Sequence, residues 1–174
     1  PRQLAESCDV VFLSLPGPKE VEAVAIAADT GLLGGLRKGA AVFDLSTNAP
    51  SMVRKLAAQF AEQGRHFLDA PVSGGPAGAR SGRLAIWIGG DKTIFDEHKA
   101  LLDAFADQAR YIGAIGAGSV AKLVHNCAGY AIYLVLVRDV IARHGATNVV
   151  AIAFAMGTLF ALPFGATDLA GALP

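Results

Sequence analysis

Three short apolar runs, residues 8–15 (CDVVFLSL), 40–45 (AAVFDL) and 66–69 (HFLD), alternate with stretches of helical spacing, and this alternation restricts the fold more than any other feature of the chain. Each run is too short for a helix and apolar on both faces, as a strand held between two layers must be. Between the first two, Val21, Val24 and Ala28 fall on one helical face until Gly31, Gly34 and Gly35 break it. Pro50 and Ser51 open a second helix that runs to Gln63 and stops at Gly64, with Met52, Leu56 and Phe60 at i, i+4 and i+8. Strand, helix, strand, helix, strand in this order is the pattern of a parallel α/β sheet covered by helices.

Residues 70–83 (APVSGGPAGARSGR) read as a long loop, followed by a strand over 84–88, a helix over 91–106 and a strand over 110–115. A further helix starts near Ser119 and runs through Lys122 and Asn126. The expected fold is therefore α/β, a partial Rossmann-type parallel sheet over residues 1–115 and a helical segment over 116–174. Trp87 and Phe95 read as core.

A 174-residue chain that is 53% hydrophobic and 17% charged, with 20 glycines, is not a disordered or highly charged tail. Lysine plus arginine equals aspartate plus glutamate at 15 each, so no overall basic field draws in nucleic acid or an acidic membrane surface. The two cysteines, Cys8 and Cys127, lack CxxC or His-rich neighbours. A disulfide scaffold and a structural zinc site are both disfavoured, and a reducing cytoplasm is expected. Residues 1–7 lack the basic and apolar regions of a signal peptide. No run reaches the ~18 uninterrupted apolar residues of a membrane span; the nearest, 149–162, is broken by Gly157 and Thr158. Residues 140–174 carry apolar stretches without a clean helical stripe or caps, so this tail should pack poorly and drive self-association into a homo-oligomer.

An open parallel sheet binds ligands outside the carboxyl ends of its strands. Those positions hold Pro16-Gly17, Ser46-Thr47-Asn48 and Ser73-Gly74-Gly75. Any one of these reads as a turn; together, as backbone donors, hydroxyls and an amide, they point to a crevice for a phosphate-bearing cofactor or a carboxylate. Residues 73–78 lack the G-x-x-x-x-G-K-[ST] spacing of a nucleotide-binding P-loop. Residues 116–121 (GAGSVA) do match a G-x-G-x-x-A fingerprint, with 130–137 as its second strand and Asp139 at the ribose position. Competing with that reading, Lys122 and Asn126 form an i, i+4 pair on one helical face. A partly buried lysine can move a proton and an amide can orient it, although the same pair also suits an ordinary helix surface. His125 lies on another face and reads as packing or solvated.

The string FLDAPVSGGPAGA over residues 67–79, followed by Ser81-Gly82-Arg83-Leu84 and Gly89-Gly90-Asp91, resembles the substrate motif of the β-hydroxyacid dehydrogenases, the family of 3-hydroxyisobutyrate dehydrogenase and tartronate semialdehyde reductase, with 6-phosphogluconate dehydrogenase more distant. Leu15-Pro16 and Asp44-Leu45-Ser46-Thr47 look like its cofactor loops, and residues 116–126 (GAGSVAKLVHN) like its catalytic-helix motif. Four ordered motifs over about residues 8–133 make the resemblance specific.

The resemblance implies an NAD- or NADP-dependent oxidoreductase that interconverts a small β-hydroxyacid and its semialdehyde or keto acid; the cytoplasm and the expectation of no metal rest on the cysteine usage above. By position, Lys122 would be the catalytic acid/base on the substrate hydroxyl, and Asn126 would help position substrate and lysine. Ser73, Gly74 and Gly75 would bind the substrate carboxylate, and Leu15, Pro16 and Thr47 would contact the nicotinamide cofactor. In that family residues 116–121 open a long interdomain helix leading into an all-α second domain, which displaces the fingerprint reading. The family's own N-terminal G-x-G-x-x-G unit is not in this sequence, and beyond about Asp139 the likeness ends. A fragment or altered gene product would account for both, and a non-catalytic, oligomerising remnant is the alternative to an active enzyme.

Overall fold

In the computed structural model, which describes residues 1–149, 151–152 and 155, a short helix α1 (Arg2–Ala5) precedes β1 (Val10–Leu13), α2 (Pro18–Ile26) and α3 (Leu32–Gly35). Then come β2 (Ala41–Asp44), α4 (Pro50–Glu62), β3 (His66–Asp69), β4 (Val72–Ser73) and α5 (Gly75–Ser81). β5 (Leu84–Gly89), α6 (Lys92–Asp103), β6 (Ala106–Gly113) and α7 (Ala117–His144) complete the order. Most of the tail expectation for 140–174 lies outside the described residues.

The helices start and stop where local chemistry dictates. Pro50 occupies the first turn of α4, where its missing N–H is no loss, and Val53, Leu56 and Phe60 form the face buried against the sheet. α6 is capped by Asp91, whose carboxylate accepts the Thr93 backbone N–H at 2.8 Å. Truncating the fully buried Phe60 to alanine would cost about 3–5 kcal/mol.

β1, β2 and β3 are parallel and in register, so that Leu13, Asp44 and Asp69 end side by side. The six-stranded sheet runs β1-β2-β3-β5-β4, with β6 on the other side of β5. β5 is antiparallel to both β3 and β4 and parallel to β6, so the expected parallel sheet is mostly but not wholly parallel. One core cluster, including Val21, Leu56 and Phe60, fills the face under α2 and α4; another, including Phe43, Ile86, Phe95 and Leu102, fills the face under α6.

Two segments depart from expectation. Residues 70–83 are not one loop, because β4 pairs Val72 with Ile86 and Ser73 with Ala85, and α5 follows at once. β6 begins at Ala106 rather than near Arg110, as an edge strand whose first half, Ala-Asp-Gln-Ala, carries no apolar run.

Pro1–Asn126 forms one compact unit and the chain from Cys127 a second, although α7 is continuous across that point. Residues 130–137, the second strand of the fingerprint reading, are helical. α7 is long and apolar enough, by length and composition, to cross a membrane, as the core helix of a soluble protein also can be. A search for an uninterrupted apolar run passes over it because Lys122, Arg138 and Asp139 punctuate it.

Candidate functional site

The register of β1, β2 and β3 sends the chain out of the sheet at one edge, where an α/β fold binds its ligands. Asp44 sits buried at that edge. One of its carboxylate oxygens accepts the Ser46 backbone N–H at 3.0 Å and the other accepts Asn48 Nδ2 at 2.6 Å. Burial pushes its pKa above the ordinary carboxylate value against the pull of those bonds, and the neighbouring Asp69 charge adds to the rise. Ser46 Oγ in turn accepts the Leu15 backbone N–H at 2.9 Å, tying the loop after β1 to the loop after β2. Leu15, Pro16 and Thr47 are thereby brought to one edge, with Pro16 and Thr47 exposed.

The second cluster is built where α7 meets the sheet. Asp69, the last residue of β3, is buried and accepts two backbone N–H groups from the start of the helix, Gly116 at 2.7 Å and Ser119 at 2.6 Å. Those N–H groups are thus committed to a carboxylate of the protein, which removes them from any pyrophosphate and disposes of the fingerprint reading of residues 116–121. Gly118 lies against β5 so closely that a Cβ there would stand 2.2 Å from the Trp87 carbonyl oxygen. One turn on, Lys122 is 8% exposed, with Nζ 5.8 Å from the centre of the Trp87 ring. Desolvation lowers its pKa from the usual lysine value, and among the described residues no carboxylate pairs with it to restore the charge.

The residue of α7 that bonds to Ser73 is His125. Its Nε2 lies 3.2 Å from Ser73 Oγ, and its ring centre is 5.0 Å from that of Trp87. Trp87, read from the sequence as core, is half-buried and carries both Lys122 and His125 on its indole. His125, read as packing or solvated, does pack, but against the predicted substrate loop. Its i+3 spacing from Lys122 was the available signal. Asn126 makes no side-chain hydrogen bond among the described residues. Gly74 and Gly75, at the mouth of α5, have φ of +125° and +58°, which a residue with a side chain rarely adopts. A cavity of about 750 Å³ opens beside Trp87 and His125, lined largely by Ile112, Ile115, Val120 and Val124, and by neither Lys122 nor Ser73.

The first cluster presents polar groups that fit the edge of a bound dinucleotide. It offers an exposed hydroxyl on Thr47 above a polar scaffold, and Asn48 Oδ1 is buried with no hydrogen-bond partner. The described residues contain no group of three or more His, Cys, Asp or Glu able to hold a metal.

Residues 1–113 match the NAD binding domain of 6-phosphogluconate dehydrogenase. The chain belongs to that family. It is 39% identical over 125 residues to the NAD-dependent L-serine dehydrogenase of Pseudomonas aeruginosa, covering 72% of this chain and 42% of the relative. Over the same length it is 35% identical to the 2-hydroxy-3-oxopropionate reductase of Escherichia coli, with the same coverage. The solved 3-hydroxyisobutyrate dehydrogenase of Mycobacterium tuberculosis, with L-serine, superimposes with a TM-score of 0.68 at 28% identity, covering 80% of this chain and 48% of that one. The chain thus spans less than half the length of the curated relatives it matches.

Proposed function

We propose that this chain carries part of an NAD- or NADP-dependent oxidoreductase that interconverts a small β-hydroxyacid and its semialdehyde or keto acid, working in the cytoplasm. The observation that carries the reading is Lys122, a buried lysine of lowered pKa on a helix pinned to the sheet end, beside the indole that also holds His125 and, through it, Ser73. A lysine brought nearer neutrality is suited to take up and return the proton of a substrate hydroxyl. When bound, the nicotinamide supplies the hydride chemistry. In this reading Leu15, Pro16 and Thr47 hold its reactive end, and Ser73, with the backbone of Gly74 and Gly75, holds the substrate carboxylate. Asn126 orients Lys122 or the substrate hydroxyl. Residues 1–115 serve as the cofactor-binding part and 116–174 as the start of a helical part. Binding of nucleic acid or membrane forms no part of this function.

Titration with NADH and NADPH, followed by assays with 3-hydroxyisobutyrate, D-glycerate and L-serine, tests the reading. Cofactor-dependent turnover that drops ~10²-fold in Lys122→Ala supports it. Turnover indifferent to Lys122 overturns the assignment of the acid/base. A second reading, a non-catalytic oligomerising module, is favoured by the exposed Tyr130, Tyr133, Leu134 and Leu136 of α7. Stable assembly without cofactor binding or turnover would select it.

A further inference from the structure

Asp69 is the only carboxylate among the described residues that reaches the start of α7, and both of its oxygens are used there. It is 1% exposed, so the bonds lie out of water and the buried charge faces the positive end of the helix. Gly116 and Ser119 bracket the first turn, and Lys122 follows Ser119 by three residues on the helix. The contact is tight on both sides. A Cβ on Gly89 would stand 2.5 Å from Asp69 Oδ1 and 2.9 Å from the Gly118 nitrogen, while one on Gly118 would stand 2.9 Å from the Asp69 carbonyl oxygen. Asp69 is also followed by Ala70, Pro71, Val72 and Ser73, so the residue that fixes the helix also begins the segment leading to Ser73.

We propose that Asp69 is a positioning residue that holds Lys122 in register with Ser73 by clamping the first turn of α7 to the end of β3. The proposal rests on Lys122 being the acid/base of the reaction; Asp69, buried and bonded to the helix start, acts through the helix. Its carboxylate supplies two acceptors that an amide cannot, because in Asp69→Asn one of the two N–H groups must face an NH₂. The other charged or titratable groups at this contact are Asp44, the buried register partner of Asp69 on β2, His125, which shares the Trp87 ring with Lys122, and Arg54, whose Nε donates to the Ile115 carbonyl just before the helix.

The test uses the whole chain and needs no turnover, so it stands apart from the assays above. Trace acetylation of every lysine across pH, read by mass spectrometry, gives the midpoint at which Lys122 becomes reactive. Trp87, the single tryptophan, gives a second signal through its emission. In Asp69→Asn the released Lys122 is expected to gain water, and its midpoint to rise toward that of the exposed lysines. The Trp87 emission should shift with it while Lys55 and Lys99 stay as they were. An unchanged Lys122 midpoint and unchanged emission in a folded Asp69→Asn protein overturn the proposal. Should that variant not fold, hydrogen exchange on the unaltered chain decides. The Gly116 and Ser119 amides, at a helix start where such groups ordinarily exchange fast, are expected to be protected by ~10²-fold or more if clamped, and fast exchange there removes the clamp.

Discussion

Asp44 and Asp69 are register partners on adjacent strands, two buried carboxylates whose hydrogen bonds run to different parts of the chain. Asp44 binds back to Ser46 and Asn48 of its own loop, whereas Asp69 reaches some 47 and 50 residues ahead to Gly116 and Ser119. One organises the proposed cofactor edge and the other anchors the proposed catalytic helix, and the Asp69 charge makes that of Asp44 harder to bury.

The raised pKa of Asp44 sets a sign for stability against pH. Between the ordinary carboxylate value of about 4 and the raised one, the folded chain binds more protons than the unfolded chain, so stability falls as pH rises through that window. Asp44→Asn should abolish this slope. It should also fold, since its new NH₂ can donate to Asn48 Oδ1, now without a partner, once the Asn48 amide turns over. Urea denaturation from pH 4 to 8 checks this; a slope that survives the substitution contradicts the assignment to Asp44.

Lys122 works in the opposite window. Its pKa is lowered by burial, so from that value up to about 10.4 the unfolded chain holds the proton more firmly, and stability rises with pH there. Lys122→Met keeps the aliphatic length, should flatten the alkaline slope and should raise stability at neutral pH. Thermal melts at pH 7 and pH 10 measure both effects, and a variant less stable at pH 7 would mean that the ammonium is held by a favourable partner.

His125 is expected to act on substrate affinity more than on rate, since its contact is with Ser73 rather than with the proposed reacting atoms. In a complete enzyme, His125→Ala should raise the KM for a carboxylate substrate by about tenfold, in line with the loss of one hydrogen bond and a ring contact, with kcat changed less. A fall in kcat with KM unaltered would instead place His125 in the chemistry.

The apolar surface of α7 leads to a prediction about assembly. Ile132, Tyr133, Leu134, Val135 and Leu136 are consecutive and exposed, which gives the helix no polar side over that stretch. The chain alone should self-associate, and Ile132→Glu with Leu136→Glu, one turn apart, should shift it toward monomer in light scattering. A monodisperse monomer before substitution would contradict this.

Much of this arrangement was legible because its elements bury regular faces. β3 begins and ends where the apolar run does, and α4 matches within a residue. The segment after Asp69 was opaque for the opposite reason: α5 buries none of its residues, so no periodicity marks it, and β4 is two residues long. The antiparallel course of β5 was equally hidden, because an apolar run looks the same in either direction. Lys122 stood out by residue type and motif. His125 and Trp87 did not, since their meeting depends on how far α7 sits over β5, a distance set by tertiary contact.

That distance rests on two hydrogen atoms. Where Gly89 and Gly118 meet there is no room for a methyl group on either, and the helix beyond is a stiff rod. A single added carbon would displace the rod bodily, carrying the lysine amine with it. The tolerance of the proposed reactive centre to variation is therefore written at two positions that have no functional group at all, and an inventory of reactive side chains would miss both.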